Sequence, residues 1–395
     1  MQQAPTTAIC VECGSGPAHM SCSICTSLGF PTDPLCSHKC VDQALAHHES
    51  LHLVKPVPEL FPFPVAPVYR RFCGRCIIAT QDINPGQICL TESPVIYGTW
   101  KECVSMFNNV VSESERVRIL AFLASDDEEI VDDAIRIGHR CIPLPERSNH
   151  TDDLIGILHN NSIDLCYSAS SNSETKVGLF EWGSLVSHSC NPNVEGSVKI
   201  CPDTGVPLWS LQALKPIKRG EILGWNYNVS IRAMMEGTSR RRAEILELRG
   251  FLCRCDACNS IDYLRSFRCP NCKEGVIAGV DMVNGSEMMC QSCRRIPSHA
   301  FFSHAESEER TIYLQMNESN AEDLPKLLQR ACHELSSYHG IVGRLSLEVA
   351  VAEYQTSGNC DPEILTIIRK FLSSPSLKES ILVHTYFRER LPINF

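Results

Sequence analysis

Four side chains able to bind metal or hydrogen-bond a ligand, His188, Cys190, Asn191 and Asn193, fall within six residues of the stretch Ser184–Val194, S-L-V-S-H-S-C-N-P-N-V. Asn191-Pro192-Asn193 is turn chemistry, since proline presets φ and asparagine tolerates the left-handed region. A tight turn after the apolar run Gly178–Trp182 holds His and Cys at its edge, to serve a site or to shape an ordinary surface turn. Cysteine is the other resource, with 23 in the chain. Cys10, Cys13, Cys22, Cys25, Cys36, Cys40, His48 and His52 follow C-x2-C-x8-C-x2-C-x10-C-x3-C-x7-H-x3-H. Eight such ligands suit two tetrahedral zinc sites. His48 and His52 share one face of the short helix expected over 41–52, with His47 as an alternative to His48. Cys269, Cys272, Cys290 and Cys293 give C-x2-C-x17-C-x2-C, a zinc-ribbon spacing. Cys253, Cys255 and Cys258 offer three ligands where structural zinc takes four.

Composition narrows the classes. A length of 395 residues allows two or three domains. The net charge of −10 argues against a general nucleic-acid binder, and Arg240-Arg241-Arg242 is too short a basic run to reverse that. No apolar run is long enough to span a membrane, and Met1–Ile9 lacks a basic and apolar leader. Cysteine-rich sequence of that kind is expected to bind metal in a reducing compartment, nucleus or cytoplasm, rather than to form disulfides. The cysteines outside the metal sets are expected in the core.

Elements must position these residues. Val54–Val68 carries five prolines among apolar residues and predicts an extended linker. Strands are expected near Cys76–Ala79 and Ile88–Glu92, then a helical insertion with helices over Glu113–Leu123 and Glu128–Ile137. Acidic residues from Asp126 to Glu129 suit the start of the second helix. After a strand near Leu211, a turn at Arg219-Gly220-Glu221 leads into an apolar run ending at Tyr227. Helices are predicted over Glu322–Leu335, Leu345–Gln355, Pro362–Leu372 and Leu377–Arg390, with Asp361 and Ser376 as caps.

The order G-R-C-I-I-A-T from Gly74, H-S-C-N-P-N from His188, K-R-G-E with Tyr227 six residues after Glu221, and F-L-C-R-C-D-A-C from Phe251 resembles the SET domain of protein lysine methyltransferases. The first cysteine set resembles a MYND-type finger whose last cysteine has become His52, and also the N-terminal finger of type 1 methionine aminopeptidases. Together they resemble the SET-and-MYND proteins. The fold implied is α+β: a SET fold of knotted small sheets with a helical insertion, zinc modules and C-terminal helices. The divisions are a finger at 8–53, a proline-rich linker at 54–69, SET portions at 70–100 and 177–248 around an insertion at 101–176, a post-SET cysteine segment at 249–260, a ribbon at 261–300 and helices at 320–395.

The resemblance implies S-adenosylmethionine as cofactor and zinc as structural metal, four ions in all, with Cys190 as fourth ligand beside Cys253, Cys255 and Cys258. It implies Tyr227 as the catalytic phenol that orients the lysine amine. Gly74, Arg75, Asn161, Ser187, His188 and Phe251 are implied at the cofactor, with Phe251 and Trp225 as aromatics of the substrate channel. It implies a protein substrate carrying lysine, histone or non-histone, short peptide motifs bound by the finger, and a monomer. Three residues depart from the family pattern: Cys76 for a glycine, Ser187 for an asparagine and Arg249 for a tyrosine. They leave open a catalytically silent interaction scaffold.

Overall fold

Short strands, several of them buried along most of their length, build four small sheets from residues 65 to 225 among the described residues, none wider than three strands. The computed structural model describes residues 18, 20, 35–41, 63–70, 74–122, 127–165, 175–227, 230–279 and 288–392. β1 (Val65–Arg70) pairs antiparallel with β2 (Gly74–Ala79), so the proline-rich stretch ends in a strand rather than as linker to residue 69. Pro67 is tolerated because β1 is an edge strand, paired with β2 on one side. β3 (Ile88–Glu92), β8 (Val194–Ile200) and β9 (Pro207–Ala213) form an antiparallel sheet in the order β3-β9-β8. β4 (Ile96–Gly98), β5 (Ser162–Asp164) and β6 (Val177–Leu179) form another, in the order β4-β6-β5. β7 (Ser187–His188) pairs parallel with β10 (Gly224–Trp225).

The insertion is helical as expected, with different ends. α1 (Trp100–Asn109) and α2 (Glu113–Leu120) each begin with a reciprocal capping box, Thr99 with Glu102 and Ser112 with Glu115. α3 runs Glu128–Cys141, capped by Asp127, and α4 runs Thr151–Asn161. α2 is tied to the segment before the central stretch by Arg118, whose Nε and Nη2 donate to Glu181 at 3.1 and 2.8 Å.

The chain divides into two units, one of residues 1–188 with 192–225, the other of 189–191 with 226–395. The first has one core around Ile77, Leu90, Phe180, Trp209 and Leu211 and a second around Phe107, Ile119 and Leu154. The second unit begins with α5 (Thr238–Arg249) and α6 (Asp256–Asn259), then the hairpin of β11 (Phe267–Arg268) and β12 (Val276–Ile277). It continues with α7 (His299–Glu318), α8 (Leu324–Glu334), α9 (Gly340–Ser357), α10 (Pro362–Leu372) and α11 (Ile381–Arg390), packed around Phe267, Ile312, Leu345, Phe371 and Phe387.

Asp361 caps α10 through a 2.7 Å bond from the N–H of Glu363. Ser376 caps nothing: the last helix starts at Ile381, after Ser380. α7, twenty residues long, falls where no helix was expected. No helix among the described residues is long and apolar enough to cross a membrane.

Candidate functional site

Cys190 lies 63 residues or more from its partners in sequence, yet its sulfur is 3.9 Å from that of Cys253 and 3.5 Å from that of Cys258. The N–H of Cys190 points at the sulfur of Cys255 at 3.4 Å. All four sulfurs fall within 4.8 Å of one another. Thiols so close cannot all ionise unless a cation sits among them. The hydrogen bond with Cys253 drives Cys190 far above the ordinary thiol range, while the bond from Cys190 drives Cys255 far below it. Four sulfurs in one shell are the donor set of a tetrahedral zinc or another thiophilic ion.

Cys269, Cys272, Cys290 and Cys293 form the second such group. Its two halves repeat one geometry. The N–H of Lys273 donates to the carbonyl of Cys269 at 2.9 Å, and that of Arg294 to the carbonyl of Cys290 at 3.0 Å. Lys273 and Arg294 have φ of 60° and 59°, and among the described residues they are the non-glycine positions with positive φ. Such strain persists where the surroundings over-determine it. Each residue follows the second cysteine of a C-x2-C pair, so each tight turn aims two sulfurs at one point. Burial pushes Cys269 up to about 11; it acts on Cys290 too, but N–H groups of Cys293 and Ser292 bring that thiol down to about 7.

Of the first cysteine set, Cys36 and Cys40 are described, with sulfurs 3.7 Å apart. Cys10, Cys13, Cys22, Cys25, His48 and His52 lie outside the described residues. The cysteines expected in the core divide: Cys76, Cys89 and Cys103 are fully buried, whereas Cys141 is exposed.

In the first unit, Asn193 holds the central turn. Its Nδ2 donates to Glu221 Oε1 at 3.1 Å and to the carbonyl of Ile222 at 2.9 Å, and its Oδ1 accepts from the N–H of Gly224 at 2.8 Å. Neither Asn191 nor Asn193 uses the left-handed region. Three bonds to residues 221–224 set Ser187 and His188 in register with Gly224 and Trp225. Upstream, Glu92 accepts from the N–H groups of Trp182 and Gly183 at 2.9 and 3.0 Å, fixing the turn that leads to β7. Its carboxyl end is enclosed, and burial pushes it up to about 7.

Gly74 has φ of +67°, and a Cβ placed there would meet nothing within 4 Å. Arg75 follows it in β2, opposite Tyr69. Cys76 does not stand in that open space: its side chain packs with Val68, Ile78 and Ile222. Ser187 Oγ is buried with no hydrogen-bond partner among the described residues. Asn161 spends one donor on its own helix, Nδ2 to the carbonyl of Ile157 at 2.9 Å. Trp225 packs edge-on against Trp209, 5.6 Å between ring centroids.

In the second unit, Tyr227 rests against the Cys190 cluster and Ile245. Phe251 meets its ring edge-on at 6.3 Å, and the Arg249 guanidinium lies 5.8 Å from the ring centroid. Of the residues expected at the cofactor, Gly74, Arg75, Asn161, Ser187 and His188 belong to one unit, and Phe251 to the other, with Tyr227 and Cys190. Sequence inspection missed Asn193 as an anchor and Glu92. Glu92 carries no local pattern; Asn193 was visible as part of N-P-N.

Residues 74–228 match the family model described as "SET domain". A solved structure of a Plasmodium falciparum protein, described as a candidate histone methyltransferase, is 10% identical, covering 43% of this chain and 98% of that one with a TM-score of 0.25. No curated protein matches the chain.

Proposed function

Taking residues 74–228 as a SET domain, we propose that the protein is an S-adenosylmethionine-dependent protein lysine N-methyltransferase. That family match carries the proposal. Two features of the first unit fit the cofactor. The open positive-φ position at Gly74 lets a ligand approach backbone closely, and the buried Ser187 Oγ keeps a hydrogen bond to give. Gly74, Arg75, Asn161, Ser187 and His188 would hold the cofactor, which when bound supplies an electrophilic methyl group on sulfur. Tyr227 would orient the neutral lysine amine, and Phe251 would shield its methylene stem from water. The Cys190 cluster supports Tyr227 from behind.

Zinc is proposed in both described clusters and, twice more, in the N-terminal finger, where short peptide motifs would bind. The SET-and-MYND assignment and the knotted topology belong to the same proposal. One observation favours the silent-scaffold alternative: Arg249 places a cation beside the Tyr227 ring, where the substrate ammonium would come.

Calorimetric titration with S-adenosylmethionine and a methyl-transfer screen over protein substrates separate the two. The enzyme requires binding on the order of micromolar, and the scaffold requires none. Tyr227→Phe should leave cofactor affinity within a few-fold and slow transfer by on the order of a hundredfold. Ser187→Asn should tighten cofactor binding by up to about tenfold. Wild type and Tyr227→Phe equally inert on every substrate, even after Ser187→Asn, would overturn the enzyme in favour of the scaffold.

A further inference from the structure

We propose that Arg241 and Arg242, two members of the only three-arginine run, form the outer shell of the Cys190, Cys253, Cys255, Cys258 cluster. They would offset the charge of a divalent ion on four thiolates and lock the loop that carries three of them. The inference rests on the cluster alone and stands whether or not the protein transfers methyl groups.

The geometry is specific to each arginine. Arg241 is 3% exposed. Its Nη2 lies 3.9 Å from the sulfur of Cys258, 3.4 Å from the carbonyl of Ala257 and 2.9 Å from Thr238 Oγ1, while Nη1 donates to the carbonyl of Glu236. Arg242 donates from Nε to the carbonyl of Cys253 at 2.9 Å, and from Nη2 to the carbonyl of Cys258 at 3.2 Å and to Asn259 Oδ1 at 3.3 Å. One guanidinium thus bridges the first and last thiol-bearing residues of C-x-C-x2-C.

Successive residues on a helix point about 100° apart. Arg240 accordingly leaves this group, stacking on Tyr313 with its guanidinium 3.4 Å from the ring centroid. Three guanidiniums committed in this way cannot act as a patch for a polyanion.

Charge explains why such a shell is needed. Four thiolates around a divalent ion leave two negative charges in a buried site, and an uncompensated buried charge is strongly disfavoured. Arg241 and Arg242 supply two positive charges, of which Asp262 beside Arg241 takes up one. Guanidinium suits the position better than ammonium because its planar fork binds several carbonyls and gives up water readily. The ribbon cluster differs, since its neighbouring cations, Lys273 and Arg294, are exposed.

The test uses the full chain loaded with zinc, and separately with cobalt, challenged with the chelator 4-(2-pyridylazo)resorcinol. The release phase of the Cys190 cluster is identified as the one missing from Cys190→Ser. Arg241→Gln and Arg242→Gln should each speed that phase by about tenfold or more and leave the ribbon phase unchanged. In the cobalt form, Arg241→Gln should shift the sulfur-to-cobalt charge-transfer band to lower energy, and Arg241→Lys should recover part of the shift. Should Arg241→Gln fail to fold, Arg242→Gln and Arg241→Lys carry the same comparison. Wild-type release from the Cys190 cluster in these variants, or equal acceleration of both clusters, overturns the proposal.

Discussion

Glu92 of the first unit and Glu309 of the second are enclosed carboxyl groups accommodated in opposite ways. Burial raises Glu92 to about 7, with the N–H groups of Trp182 and Gly183 opposing the rise and the like charge of Glu181 adding to it. Glu309 is clamped by Arg265 at 3.0 and 2.9 Å and faced by His339 at 3.5 Å. Burial would raise it too, but His339 and Arg265 hold it down to about 2. The first unit thus admits Glu92 by letting it take a proton, while it pairs Glu181 with Arg118. The second concentrates charge and pairs it, and both four-cysteine clusters among the described residues lie there.

The largest expected difference is therefore in response to metal loss. Structural zinc contributes roughly 10–16 kcal/mol to small zinc modules. Stripping the metal should expose the amides of residues 253–277 and 288–297 to hydrogen exchange while β3, β8 and β9 keep their protection. Cys190→Ser and Cys272→Ser should each hold one zinc fewer per chain by elemental analysis, each sparing the other cluster. Loss of protection in β3, β8 and β9 at the same rate would erase the contrast.

Next in size is pH dependence, which should have opposite signs. The folded value of Glu309 lies below its ordinary 4.5, so its contribution of roughly 3 kcal/mol is complete above pH 4.5 and is lost as pH falls toward 2. The folded value of Glu92 lies above 4.5, so stability is greatest below pH 4.5 and declines, by up to roughly 3 kcal/mol, as pH rises to about 7. In urea titrations across this range, Glu309→Gln should remove a rise with pH and Glu92→Gln a fall. Matching profiles for both variants would break the comparison.

The smallest effect concerns strain. Lys273→Gly relieves a left-handed residue and should stabilise the ribbon by about 1 kcal/mol, read as slower zinc release. Faster release would show that the lysine charge matters more than the backbone.

What the chain disclosed by itself follows from range. The ribbon was legible because its ligands come as two local C-x2-C pairs, and α10 because Asp361-Pro362 marks its start. The joining of Cys190 to the C-x-C-x2-C segment came from resemblance, since no spacing rule spans 63 residues. α7 was hidden because its residues Ser303 to Arg310 are mostly polar, with a mixed face where Glu309 is buried in an ion pair and not by apolar periodicity. The strand of residues 65–70 was masked by prolines, which argue locally against pairing yet are allowed at an edge. Of the candidate site, residue types were visible; which partners Asn193, Glu92, Arg241 and Arg242 would find depended on packing between distant segments.

Residues 189–191 belong to the second unit although the chain on either side belongs to the first. The two units are therefore not modules that a gene could shuffle. A chain cut after Trp225 would carry Cys190 away from the three cysteines it meets, and a chain begun at Asn226 would keep those three and lack the fourth. Any exchange of one unit between relatives must carry three residues from the middle of the other, so the cluster can be inherited only whole.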